Sequence, residues 1–153
     1  MDARRREPGQ ALVELALVLV TLCSLFVAAF DFGKTMNVYL VTVQATGAAA
    51  RVASVAGTTT AAVQAAAQNA ASDTLAPAAL TVLCQAANFD ASSGSYTVAG
   101  ACANTLVADS AFAITVSTTV APVLPFTGLF FGSSQLNSFP VTYTLLGIVE
   151  ANS

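Results

Sequence analysis

The feature that most constrains this chain is an apolar run from Gln10 to Phe30 that contains a single charge, Glu14. Wound as a helix, its 21 residues reach about 31 Å, which matches a hydrocarbon core of about 30 Å. The run is therefore expected to span a membrane as residues 10–30, with lipid as its first partner. Arg4, Arg5 and Arg6 stand immediately before it. By the positive-inside rule they stay cytoplasmic, so everything after Phe30 faces outward, and Asp31 and Lys34 mark the point where the helix leaves the bilayer. Residues 31–153 then form one exported domain on a single-pass anchor, since 153 residues suffice for one modest core and no more.

Composition narrows the function. Charged residues make up 8% of the chain, where about 25% is usual for a soluble domain, and hydrophobic residues reach 56%. Part of the protein must sit in lipid or in an assembly. The chain has no histidine, which removes Ser-His-Asp and Cys-His catalysis and His-ligated metals. All five basic residues lie at or before Arg51, leaving the last two thirds with no cation to meet phosphate. No GxxxxGK, GxGxxG or CxxC spacing appears, and the carboxylates are scattered rather than clustered as metal ligands are. The expectation is a structural, non-enzymatic protein with no cofactor, no metal, no nucleic acid and no small-molecule substrate.

No helix breaker follows the apolar run, and Phe32, Met36, Tyr39, Val43 and Ala50 recur at helical spacing. One helix of about 65 Å is predicted from about Leu12 to about Ala56, with a membrane half, an amphipathic half and Gly57 as its C-cap. Thr58-Thr59-Thr60 offers N-caps for a short Ala-rich helix over 61–71, ended by Asp73 to Pro77. The period then changes to alternation. Leu80–Cys84 and Tyr96–Val98 read as short strands around a turn over Asp90–Ser95. In two stronger strands Phe112, Ile114, Val116 and Thr118 share one face, and Phe139, Val141, Tyr143 and Leu145 share another. The predicted class is α+β, a long N-terminal helix packed on a small antiparallel sheet. Between those strands, Ala121–Asn137 is an apolar connection with two readings, a cover over the core or a contact patch for a neighbour or the membrane.

A carboxylate inside a membrane span is costly and needs a partner, a proton or a route to water. Glu14 lies five residues after Gly9, in the order Gly9, Gln10-Ala11-Leu12-Val13-Glu14. This resembles a type IV prepilin, in which a glycine precedes an apolar helix with glutamate at its fifth mature position. Behind it come Asp31-Phe32-Gly33-Lys34, Tyr39 and Ala50-Arg51. With those motifs the chain resembles the TadE-like family of the tight-adherence (Tad/Flp) pilus over roughly residues 9–53. Two departures stand out: Lys34 replaces the usual arginine, and Ala45-Thr46-Gly47-Ala48-Ala49 replaces a stretch that in the family carries a basic residue.

The resemblance implies a pilin-like subunit made as an inner-membrane precursor, with its N-terminus inside and its C-terminal domain outside. Residues 1–9 would be a leader removed by prepilin peptidase between Gly9 and Gln10, and Glu14 would act in processing or assembly. The implied partners are that peptidase, other pilin or pseudopilin subunits and the inner-membrane assembly platform. Asp31 and Lys34 read either as a local pair or as a subunit contact at the membrane boundary. Cys84 and Cys102 both fall in the exported, oxidising part and flank the expected hairpin, so they are expected to form a disulfide, whereas Cys23 is a small apolar residue of the span. Arg51 is expected to neutralise Asp73, Asp90, Asp109 or an acidic neighbour.

Two rival readings stay open. In one, Arg4–Arg6 and Leu15–Val27 form a secretory signal peptide cut before Phe30. In the other, an uncleaved single-pass anchor carries a binding or adhesion domain that joins no filament.

Overall fold

The computed structural model describes residues 8–76, 79–90, 92–121 and 138–150. Helix α1, Pro8–Ala53, runs for 46 residues, about 69 Å at its rise of 1.5 Å per residue. It begins at a proline, whose missing N–H would have no helical partner in the first turn anyway. Helix α2, Thr60–Ala71, is capped by Thr59, which is extended and accepts a hydrogen bond from the Ala62 N–H through its hydroxyl. Strands β1 (Thr81–Asp90), β2 (Ser95–Ala101), β3 (Ala111–Val120) and β4 (Phe139–Ile148) form one sheet in the order β2-β1-β3-β4, every neighbour antiparallel. The α+β class and the long helix on an antiparallel sheet are as the sequence predicts.

The strands lie along the helix. β4 starts beside Val38, where Val120, Val141 and Val38 pack together, and ends beside the close of α1, where Glu150 donates its N–H to the Ser54 carbonyl at 2.7 Å. β3 runs the opposite way, and α2 folds back along α1, bringing Val63, Ala67 and Ala71 into the core. The domain thus has a near end, at Lys34–Val38, and a far end, where residues 54–60 meet 104–106 and Glu150. The turn over Asp90–Ser95 lies beyond the far end, because Ala87 pairs with Ala111 there.

The core face of α1 differs from the predicted stripe. Val38, Val41, Thr42, Ala45, Thr46, Ala49, Ala50 and Ala53 are the buried residues, and the Thr42 and Thr46 hydroxyls donate to the carbonyls four residues earlier at 2.8 and 2.7 Å. Of the residues first read as the stripe, only Ala50 is buried; Phe32, Met36 and Tyr39 are exposed. The physical reason is the three-sided packing of this half-helix against α2, β3 and β4. A helix that must approach two layers closely presents small residues to them, and the large ones turn away. Gly57 is also not the cap: α1 ends at Ala53, and Gly57 takes a left-handed φ of +83° in the following turn, donating to the Leu106 carbonyl.

Alternation on β3 and β4 follows the prediction. Phe112, Ile114, Val116 and Thr118 are buried toward the helices, and Thr115 and Thr144 face outward, hydroxyl to hydroxyl at 2.9 Å. Gly147 is required by its neighbour: a Cβ there would lie 2.5 Å from Cζ of Phe112, its cross-strand partner. The apolar connection over 121–137 lies outside the described residues beyond Ala121.

Candidate functional site

The first turn of α1 places Gly9 and Gln10 in exposed positions at a helix end whose leading N–H groups have no helical acceptors. One turn on, Glu14 is also exposed and accepts a hydrogen bond from Gln10 Nε2 at 3.4 Å, as residues four apart on one helix face do. Among the described residues Glu14 makes no ion pair, and its recorded side-chain partner is the neutral Gln10 amide.

The rest of the apolar half is suited to lipid or to other helices. The domain covers none of its most apolar stretch. Its hydroxyls are satisfied within the helix, Thr21 donating to the Leu17 carbonyl at 2.9 Å and Ser24 to the Thr21 carbonyl at 2.8 Å. That matters because hydrocarbon supplies no hydrogen bonds. Cys23 carries a free, exposed thiol on the same stretch.

At the expected boundary of the span, Asp31 is half-buried and its carbonyl accepts from the Thr35 hydroxyl at 2.9 Å. Lys34 extends its ammonium to the Ala121 carbonyl at 3.1 Å, 87 residues away, just past the last residue of β3. Sequence spacing, which suggests an Asp31–Lys34 pair, holds no sign of this contact. Its acceptor is a main-chain atom at a strand end, and no side-chain pattern marks it.

The folded domain is fastened by the expected disulfide between Cys84 on β1 and Cys102 just after β2, with Cα atoms 5.4 Å apart. The Cys102 N–H also donates to the Cys84 carbonyl at 3.0 Å. At the hairpin tip, Asp90 accepts from the Ser92 hydroxyl at 2.6 Å, the Ser92 N–H at 2.9 Å and the Ser93 hydroxyl at 3.0 Å. These bonds, the Ser92 hydroxyl first, hold its carboxyl below the usual carboxylate range. Arg51 is exposed on the last turn of α1, and among the described residues it makes no ion pair with Asp73, Asp90 or Asp109. Among the described residues, no three His, Cys, Asp or Glu side chains gather as a metal centre would need.

Among the described residues the geometry gathers no catalytic constellation. It separates an exposed N-terminal turn with one carboxylate from a compact far domain and joins them by an uncovered apolar helix. Residues 9–51 match the family model described as TadE-like protein. That segment covers nearly all of α1, from the residue before the expected cut to Arg51. No curated protein and no solved structure matches the chain.

Proposed function

We propose that this protein is a minor pilin or pseudopilin of a Tad/Flp type IV pilus or a related secretion apparatus, cut by prepilin peptidase after Gly9 and acting by assembly. The observation that carries the reading is the TadE-like match beginning at Gly9, on a helix whose apolar first half the protein's own domain leaves bare. Hydrolysis of the Gly9–Gln10 bond leaves a carboxylate on the leader and an amine on Gln10, and it removes the three arginines that hold the N-terminus in the cytoplasm. The new amine is the cation that Glu14 of a neighbouring subunit lacks. Residues 10–30 keep the subunit in the inner membrane and later pack helix against helix, while residues 31–153 stand outside as the exported domain. The partners are the peptidase, sister pilins or pseudopilins, the assembly platform and membrane lipid, and the protein performs no catalysis.

Intact mass and N-terminal sequencing of protein recovered from cells carrying its secretion genes test the reading. A chain starting at Gln10 is expected. A start at Phe30 would support a secreted domain, and retention of Met1 an uncleaved anchor. Gly9→Arg should leave full-length precursor in the membrane, and normal processing of that variant would sink the proposal. Glu14→Ala should be cut but excluded from assemblies.

A further inference from the structure

We propose that the end of the sheet where β3 stops and β4 starts rests in the headgroup layer of the outer leaflet, so that before assembly the exported domain lies on the phospholipid surface rather than standing clear of it. The inference rests on reading residues 10–30 as the span. Given that span, the helix fixes the height. Lys34 is four residues past Phe30, about 6 Å along the axis, and each interfacial layer outside the hydrocarbon core is about 5–8 Å deep. Lys34 holds the Ala121 carbonyl at 3.1 Å, so β3 ends at that level. Val38, packed on Val120 and Val141, holds the start of β4 beside it.

The chemistry of this end suits the place. Phe32 and Met36 are 67% and 44% exposed, and the domain leaves both bare just above the span. Ala121, Ser138 and Pro140 are exposed and uncharged. The sixteen residues that join Ala121 to Ser138 contain no Asp, Glu, Lys or Arg. Arg51, Asp109 and Glu150 belong to the opposite end, beside the close of α1 and the start of β3. Asp73, just after α2, keeps the α2 side of this end in water, which limits the contact to the β3–β4 side. With no cluster of cations at the contact, apolar burial holds it, and zwitterionic lipid is sufficient.

The test uses the full-length chain in phosphatidylcholine vesicles with the disulfide intact. A fluorescent thiol label is placed at Ala121→Cys, Ser138→Cys or Val107→Cys in a Cys23→Ala background, and at Cys23 of the otherwise unchanged protein. Water-soluble iodide should quench the labels at 121 and 138 at least about threefold less than the label at 107, as suits a site 5–10 Å into the interface. Adding anionic lipid should change neither. Equal quenching at 107, 121 and 138 with Cys23 shielded would overturn the proposal and leave the span standing. Free quenching at Cys23 would overturn the span and the proposal together.

Discussion

A single missing side chain lets the far end of the core close. Gly147 sits opposite Phe112 across the β3–β4 pair, and the ring occupies the space a methyl group would need. Gly147→Ala should cost about 1–3 kcal/mol by overpacking, read as a lower urea midpoint with an unchanged slope. At the hairpin tip the controlling residue is Asp90. Its carboxyl lies below the ordinary value because the charged form accepts three hydrogen bonds in the fold that the unfolded chain lacks. A depressed value means that the contribution is complete above the unfolded value of about 3.9 and disappears as pH falls through the folded one. An NMR titration should find the Asp90 carboxyl carbon titrating below the unfolded value of about 3.9, and Asp90→Asn should remove that step. The serines around Asp90 mark a turn in the sequence, but which of them donate depends on backbone geometry that composition does not carry.

Most elements could be read from the sequence. The long helix, the capped second helix and the two alternating strands each follow from a local period or a breaker, and the disulfide follows from cysteine placement and compartment. The core face of α1 could not be read this way. Hydrophobic periodicity selects large residues such as Phe32, Met36 and Tyr39, but close approach to three neighbours selects Ala45, Ala49 and Ala53, which carry little hydropathy signal of their own. Tyr39 lies at the margin of that packing, its ring edge-on to Tyr143 at 6.4 Å. The assignment makes opposite forecasts for two substitutions. Ala45→Leu should destabilise by about 1–3 kcal/mol in chemical unfolding, because the site is fully enclosed, whereas Phe32→Ala should stay within about 0.5 kcal/mol. The Lys34–Ala121 contact, unlike the local Asp90 donors, is invisible until two distant segments are brought together.

The whole molecule divides into a bare apolar rod and a folded domain whose first buried residue is Val38. A chain lacking residues 1–30 keeps every core contact, so it should unfold with a free energy within about 1 kcal/mol of the full-length protein, measured in the same detergent. Folding of the domain is then separable from the apolar rod, as the proposed role, in which a subunit leaves lipid without losing its domain, requires. The covalent link between Cys84 and Cys102 has a mechanical side as well. In the filament proposed above each subunit would bear load, and a load opens a domain by drawing its backbone straight. The segment inside the Cys84–Cys102 ring, with a sequence separation of 18, cannot be straightened while the bond holds. About 60 Å of contour is thereby withheld from extension, at up to 3.3–3.6 Å per residue. A domain stretched past its yield point thus keeps its β1–β2 hairpin as a knot in the line, shorter and easier to rewind than an open chain would be.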